Sequence, residues 1–448
     1  MALTTEHPPI TKAKRSEERR VLAGTMVGTT IEWYDFFIYA QAAGLVLAGL
    51  FFAPLAGANA PLAQLIAWAS LGISFLFRPL GAIVAGHLGD RLGRKAMLVF
   101  TLIMMGAATA LIGLLPTFDQ IGVWAPILLV VLRILQGFSA GGEWGGAALM
   151  SVEHAPVHKR GFFGAYPQIG VPVGLILATG VMLVVTTSMS EEAFLSWGWR
   201  IPFLVSVLLI VVGWIIRRSV DESPVFKEMQ TRKAESAAPL KQLFQGHWRQ
   251  VILTALIFIA NNAAGYLLIA FFASYATRTP EAGGLGMERS PVLLASTIAA
   301  FFWLGSTMLG GILSDKIGRI RTFQLGYAFL FLWAIPMFLL IDTGDVLWYT
   351  VSLIVLASGL GFSYGPQAAL YAEMFPAQVR YSGVSIGYAI GAILGGAFAP
   401  LIAQILIDQT GSTTSIGVYV MVVAAISFVA VTLVKETKGI PLGAGVHD

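Results

Sequence analysis

The chain alternates between long apolar runs and short polar segments. A membrane-spanning helix needs roughly 20 mostly apolar residues. Twelve runs meet that requirement, near residues 21–50, 62–87, 96–115, 122–150, 162–186, 201–216, 250–277, 291–313, 322–341, 346–371, 382–406 and 415–434. The pattern therefore predicts an all-α polytopic membrane protein with twelve transmembrane helices.

One long polar segment divides the twelve runs into two sets of six. It contains ESPVFKEMQTRKAES, a composition that suits a loop with short surface helices. The predicted organisation is an N-terminal tail (1–20), a six-helix half (21–216), a linker loop (217–249), a second six-helix half (250–434) and a C-terminal tail (435–448).

Composition and charge agree with a membrane protein. Of the 448 residues, 56% are hydrophobic and 12% charged, whereas an average soluble protein is about 25% charged. Most Lys and Arg lie in short loops on the side of the two tails, which predicts cytoplasmic termini. Only Arg200, Arg278 and Arg289 fall in loops on the other side. This distribution explains the basic charge without a nucleic-acid partner.

Two motifs recur in the two halves. GHLGDRLGR, which begins at Gly86, returns as GILSDKIGR from Gly311. EHAPVHKR from Glu153 likewise matches EMFPAQVR from Glu373, with Pro and Arg at the same offsets. Each pair occupies equivalent loops, after the second and the fourth helix of its half. The halves are therefore expected to be related by duplication, an arrangement typical of alternating-access transporters.

These motifs resemble the major facilitator superfamily. Further stretches resemble its metabolite:proton symporter branch, and within it the bacterial shikimate transporters: EWYDFFIYA, FLFRPLGAIVAGHLGDRLGRK, LRILQGFSAGGEWGGAAL, SWGWRIPFL and DESPVF. The resemblance covers nearly the whole chain. It implies a secondary transporter of the bacterial inner (plasma) membrane and not an enzyme. Substrates in this branch include shikimate, α-ketoglutarate, citrate, betaine and proline.

Two carboxylates interrupt the first apolar run. Glu32 and Asp35 are three residues apart and share one helix face. Arg133 in the fourth run lies about 17 Å from the outer end of its span and Asp35 about 21 Å from the inner end of its own, so the two can occupy the same level. A buried carboxylate and guanidinium at one depth should pair, because either alone is costly. An anionic substrate that engages Arg133 would weaken the pair and favour protonation of the acid.

The resemblance assigns the proton-carrying acid to Asp35, with Glu32 as the alternative. The simpler interpretation of either acid is a fixed ion pair that holds the N-terminal half together. Arg78 is a second charge within a span, where it either faces the cavity or extends towards the inner surface. Glu143 is expected in a polar network near the inner gate.

Neutral hydrogen-bonding side chains supply the rest of the expected substrate site. Together with Arg133 they suit a compact carboxylate bearing hydroxyls, such as shikimate. The candidates are Tyr34, Tyr166, Gln168, Asn261, Asn262, Tyr266, Tyr364, Gln367 and Tyr388. The alternative substrate is a zwitterion such as betaine or proline, whose cation Trp33 and Tyr34 would contact. Uniport or antiport is the alternative form of coupling.

The repeated loops predict a gate on the cytoplasmic side. An Asp at one helix end accepts hydrogen bonds from the exposed N–H groups at another helix's N-terminus. The gate residues are Asp90, Arg91, Arg94, Asp315 and Arg319. The chain has no Walker A sequence and no histidine pair with metal-ligand spacing on a membrane helix. We therefore expect no cofactor or metal, the proton as coupling ion, and a monomer in the lipid bilayer.

Overall fold

The structure, a computed structural model, describes residues 12–57, 60–218, 221–232, 239–280 and 283–443. In this part of the chain, twelve helices are long and apolar enough to cross a membrane. Their number and order confirm the predicted spans. No strand occurs among the described residues.

The spans are numbered in chain order. Span 1 joins an α-helix (Lys12–Ala42) to a π-helical segment (Ala43–Phe52). Spans 2 to 6 are Ala60–Leu92, Arg94–Leu114, Trp124–Glu153, Arg160–Ser188 and Ile201–Arg218. Span 7 runs through Trp248–Tyr266, the π-helical Leu267–Phe271 and Phe272–Thr277. Spans 8 and 9 are Arg289–Ile317 and Arg319–Ile341. Span 10 joins Val346–Tyr364 to Gln367–Met374. Span 11 comprises Arg380–Ala392, the π-helical Ile393–Ala397 and Ala399–Thr410. Span 12 is Thr414–Thr432.

Short helices lie between the spans. Two of them, Pro224–Arg232 and Pro239–Gly246, fall in the predicted linker. The others are the α-helices Phe118–Ile121 and Glu191–Ser196 and the 3₁₀ turns Val157–Lys159 and Gly198–Arg200.

The two halves pack their helices in the same way. In the first half, span 1 packs on span 5, span 2 on span 4 and span 3 on span 6. In the second half, span 7 packs on span 11, span 8 on span 10 and span 9 on span 12. The halves meet where span 5 packs on span 8 and span 2 on span 11. Span 7 is central, with 83% of its apolar window buried, whereas span 6 is peripheral, with 28%.

We call the side on which span 1 begins and span 12 ends the terminal face. Both copies of the repeated loop lie there, between spans 2 and 3 and between spans 8 and 9. Gly93 and Gly318 each turn the chain with φ of 105°, a conformation that favours glycine. Glu222 then accepts from the backbone N–H of Lys95, and Glu436 from that of Arg319. Equivalent carboxylates thus cap the helices that follow the two loops.

Glycines bring spans 2 and 4 into backbone contact. A Cβ atom on Gly137 would lie 1.9 Å from the carbonyl oxygen of Ser74, and one on Gly141 would lie 2.1 Å from that of Arg78. Small residues permit such close approach between membrane helices. The contact fixes the rotation of span 2, which carries Arg78, against span 4, which carries Arg133.

Gly137→Ala should lower the melting temperature of the purified protein in detergent. Its methyl group would force the two backbones apart, at a cost of about 1–3 kcal/mol. Gly180→Ala in span 5 is the matched control, because nothing lies within 4 Å of its Cβ position. Helix propensity predicts that this control melts at the same temperature or slightly higher. Equal melting temperatures for Gly137→Ala and wild type would contradict the contact.

Candidate transport site

Two neighbouring side chains of span 1, those of Tyr34 and Asp35, bond to span 6. Asp35 is completely buried and accepts a hydrogen bond from Ser206 Oγ at 2.5 Å. One turn earlier on span 6, the carbonyl of Pro202 accepts from Tyr34 Oη at 2.7 Å. Both side chains therefore point into the N-terminal half.

Arg133 is also completely buried. Its Nη1 donates to Gln136 Oε1 at 2.7 Å and its Nη2 to the carbonyl of Leu71 at 3.3 Å. The guanidinium lies 3.8 Å from the centroid of the Tyr39 ring, close enough for a cation–π interaction. A neutral amide, a carbonyl and an aromatic face thus solvate the charge.

The predicted direct pairing of Asp35 with Arg133 is wrong for this conformation. Among the described residues no ion pair joins them, because Asp35 turns towards span 6 and polar side chains lie between the two. Gln136 Nε2 donates to Thr109 Oγ1 at 2.6 Å. The Thr109 hydroxyl donates to the carbonyl of Met105 at 3.1 Å and lies close to the Asp35 carboxylate, whose Oδ2 has no hydrogen-bond partner. We call the chain Asp35–Thr109–Gln136–Arg133 the relay.

Glu32 occupies a different environment from Asp35. It is 2% exposed and lines a narrow crevice with Thr101, Ser139 and Glu143. Glu143 accepts from Thr101 Oγ1 at 2.6 Å, as expected of a residue in a polar network. Glu32 is also close enough to Tyr266 and to two further tyrosines of the C-terminal half for electrostatic interaction.

A small central cavity of about 20 Å³ lies between the two halves. Trp33 and Val171 from the first half face Asn262, Tyr266 and Trp303 from the second across it. Indole Nε1 of Trp33, indole Nε1 of Trp303 and Tyr266 Oη are buried without hydrogen-bond partners. Buried polar groups usually have partners, so these three donors suit a polar ligand in the cavity.

Four of the predicted substrate residues line this cavity: Asn261, Asn262, Tyr266 and Tyr364. Three others form a cluster beside it. The ring of Tyr388 stacks on those of Trp144 and Phe258, with centroids 3.9 and 4.3 Å away. Gln168 accepts from Trp144 Nε1 at 2.6 Å and donates to Gln367 at 3.3 Å.

Two predicted substrate residues lie elsewhere. Tyr34 is bonded to Pro202 inside the N-terminal half. Helical geometry turns each successive residue by about 100°, so Trp33 faces the cavity and its neighbour does not. Tyr166 is half-buried and packs edge-on against Phe162, near the terminal face.

Arg78 is the residue that sequence analysis left open and the structure places beside the site. It is 1% exposed, so its side chain does not extend to a surface. Its guanidinium lies 4.5 Å from the ring centroid of Phe75, 5.0 Å from that of Phe36 and 5.7 Å from that of Trp33. Of the two alternatives that the sequence leaves open for Arg78, this position agrees with a charge beside the cavity.

The terminal face is closed by contacts between the two halves. Asp315, at the end of span 8, accepts from the backbone N–H groups of Gly161 and Phe162 at 2.8 Å each. Gly161 and Phe162 belong to the first turn of span 5, so Asp315 makes the contact predicted for an Asp at the N-terminus of another helix. Arg319 donates to Asp315 at 2.6 Å. The side chains of Asp90, Arg91 and Arg94 lie outside the described residues.

The second repeated motif forms a reciprocal clasp that sequence analysis missed. Arg380 pairs with Glu153 at 3.1 Å, and Arg160 approaches Glu373 at 3.6 Å. Each pair joins the acid of one half to the arginine of the other. The repeat itself was the available signal, because equivalent residues of two related halves meet at their symmetry axis.

The opposite face contains a second cavity of about 180 Å³, larger than the central one. Residues from spans 1, 2, 7 and 8 line it, including Gln41, Trp68, Arg278 and Arg289. Ile269 contributes to the walls of both this cavity and the central one. The structure is therefore closed on the terminal face and approached from the opposite face.

Twelve spans in two similarly packed halves, with a cavity between them, define a secondary transporter. A family model described as the Major Facilitator Superfamily matches residues 25–393. The chain belongs to this family and is a transporter, not an enzyme.

Curated relatives cover nearly all of the chain. The inner membrane metabolite transport protein YhjE of Escherichia coli (strain K12) is 37% identical over 97% of this chain and 96% of its own length. The shikimate transporter of the same strain is 38% identical, covering 94% and 96%. The proline/betaine transporter of that strain is 32% identical, covering 95% and 85%.

A solved structure shares the fold. The proton:xylose symporter XylE bound to 6-bromo-6-deoxy-D-glucose superposes with a TM-score of 0.78, over 96% of this chain and 98% of that one. Sequence identity is 18%, so this likeness concerns the fold alone.

Glu153→Gln should open the terminal face. It leaves Arg380 without its acid, and loss of one partner from a buried pair costs about 3–5 kcal/mol. The chain contains no cysteine, so spin labels on His158→Cys and Lys316→Cys, both exposed positions, report the distance between the halves. We expect a longer-distance population to grow.

Asp408→Asn removes an exposed carboxylate far from the clasp and should leave the distances unchanged. The charge-reversed pair Glu153→Arg with Arg380→Glu should restore the short distance. An unchanged distribution in Glu153→Gln would show that the clasp does not hold this face closed.

Proposed function

We propose that this transporter couples uptake of a small organic acid to an inward proton gradient, with Asp35 as the proton carrier. The observation that carries the proposal is the relay, which connects a buried carboxylate to a buried arginine beside the central cavity. Because hydroxyl groups and not a cation surround the Asp35 carboxylate, its protonation does not break an ion pair.

The relay gives a physical route for coupling. An anion in the central cavity attracts Arg133 and weakens its bond to Gln136. Gln136 then no longer holds the Thr109 hydroxyl, so the groups that solvate ionised Asp35 rearrange. Loss of that solvation favours the protonated acid. Substrate and proton would therefore bind together, as symport requires.

Orientation and conformational change follow from the same proposal. The terminal face, which carries both termini, is the cytoplasmic one by the distribution of Lys and Arg. The large cavity then opens to the outside of the bacterial inner membrane. Residues 21–216 and 250–434 rock as two halves around the central cavity, with the clasp and the Asp315 contact as the cytoplasmic gate. We propose that the protein acts as a monomer, with substrate and proton as its only ligands.

A zwitterion such as betaine or proline is the second candidate substrate. Trp33, Tyr266, Trp303 and Tyr364 line the cavity, and aromatic faces attract quaternary ammonium groups. The likeness to a proline/betaine transporter supports the same candidate. The buried guanidinium of Arg78, 5.7 Å from the Trp33 ring, would repel such a cation. Charge at the site therefore favours an organic acid.

The test is uptake of labelled shikimate, α-ketoglutarate and betaine into proteoliposomes, with and without an inward proton gradient. We expect gradient-driven uptake of one acid in wild type. Asp35→Asn should lose that stimulation by about tenfold or more while retaining exchange of the acid across the membrane, since its binding site is intact.

Glu32→Gln is the matched comparison, because it removes the other carboxylate from the same helix face. Loss of gradient drive in Glu32→Gln but not in Asp35→Asn would transfer the carrier role to Glu32. Uptake of betaine but of neither acid would identify a zwitterion as the substrate. Uptake that ignores the gradient in every protein would contradict proton coupling altogether.

A further inference from the structure

Arg78 has a buried charge that the protein leaves without a hydrogen-bonding partner. Its Nε and Nη2 atoms are buried and make no hydrogen bond, and none of the ion pairs found among the described residues includes Arg78. Three aromatic rings surround it instead. Cation–π contacts offset only part of the cost of burying an unpaired charge.

The guanidinium faces the ligand cavity across its aromatic wall. Trp33 lines the cavity, and the ring of Tyr266, another lining residue, packs against those of Phe36 and Phe75 with centroids 5.7 and 5.1 Å away. Arg78 also lies close enough to Tyr364 and Tyr388 to interact with them electrostatically. A cation on the N-terminal half therefore opposes hydroxyl groups on the C-terminal half.

Arg133 has fewer nitrogens available to bind a ligand carboxylate. Two of its nitrogens already donate to Gln136 and to the carbonyl of Leu71. Both guanidiniums lie 5.0 Å from the centroid of the Phe36 ring, so Phe36 is a contact that the two arginines share. Arg133 belongs to the relay, and Arg78 keeps its donors available.

We propose that Arg78 receives the carboxylate of the transported acid. The remainder of the ligand is a compact hydroxylated ring or short chain, with an apolar face against Trp33 and Tyr266 and hydroxyl groups towards Trp303 Nε1 and the cavity asparagines. A guanidinium binds a carboxylate through two parallel hydrogen bonds, which matches the unpartnered Nε and Nη2 of Arg78. This inference rests on the proposed transport of an organic acid.

The test compares each acid with its own methyl ester, which keeps the shape and removes the charge. Binding of shikimate, α-ketoglutarate and their esters to the purified full-length protein is measured by isothermal titration calorimetry. In wild type, the preferred acid should bind at least about 30-fold more tightly than its ester, the effect expected for a buried charge pair. In Arg78→Met, that preference should fall to about threefold or less.

Arg78→Met is chosen because methionine fills an aromatic pocket without a charge. Its melting temperature without ligand should equal or exceed that of wild type, since the uncompensated charge is gone. Arg78→Gln serves as a second variant and should show the same loss of preference. Arg133→Gln should lose stimulation by the proton gradient, and its preference for acid over ester should fall by less than that of Arg78→Met.

A general loss of structure would weaken acid and ester equally and lower the melting temperature, which would overturn the proposal and make Arg78 a structural residue. Preference retained in Arg78→Met and lost in Arg133→Gln would assign the carboxylate to Arg133, with proton-coupled acid transport still standing. If no acid of the set binds wild type more tightly than its ester, both the role of Arg78 and acid transport are rejected.

Discussion

The cost of burying charge in a membrane organises this molecule. An ionised side chain in the hydrocarbon region needs compensation from within the protein, and the buried charges obtain it in three ways. The charges of the clasp, such as Arg380 and Glu153, are compensated by opposite charges. Asp35 and Arg133 are compensated by neutral hydroxyl, amide and carbonyl groups. Arg78 has aromatic rings alone, so its environment is the least complete of the three.

These differences separate structural charges from working ones. A buried ion pair loses much free energy when one partner departs, so the clasp charges favour a single closed arrangement of the terminal face. Groups solvated by neutral dipoles lose less when a dipole turns away, so the relay can respond to small movements. The residues expected to change protonation or ligation are therefore those without a salt bridge.

The fold could be predicted from the sequence because its strongest signals are long and local. Twelve apolar runs specify twelve helices, and the repeated loop motif specifies two similar halves. The contact of Asp315 with the start of span 5 was also predictable, since an acid at a helix end and exposed N–H groups attract each other over a short range. The pairing of Glu153 with Arg380 required one further step, the recognition that repeated residues meet across the halves.

The site was less predictable, because it depends on helix rotation. Sequence analysis placed Asp35 and Arg133 at one depth but did not show that Asp35 turns towards Ser206. The sequence predicts Tyr34 for the substrate site and Trp33 only as a contact of a zwitterion, whereas Trp33 lines the cavity and Tyr34 does not. Rotation is fixed by contacts between distant segments, such as the close approach of Gly137 to Ser74. The local sequence pattern does not indicate which of two adjacent residues faces the cavity once such a contact has formed.

The division of the site between the halves carries a mechanistic consequence. Charged groups of the central region, Glu32, Asp35, Arg78 and Arg133, all belong to the N-terminal half, whereas the C-terminal half contributes asparagines, tyrosines and a tryptophan. In the proposed rocking of the halves, the neutral partners would change around a fixed set of charges. A ligand carboxylate would stay with the first half throughout, while its hydroxyl contacts with the second half form and break. Because Phe36 lies close to both arginines, the half that would hold the anion also holds the relay. In the proposed mechanism, binding and protonation would therefore remain linked while the cavity changes sides.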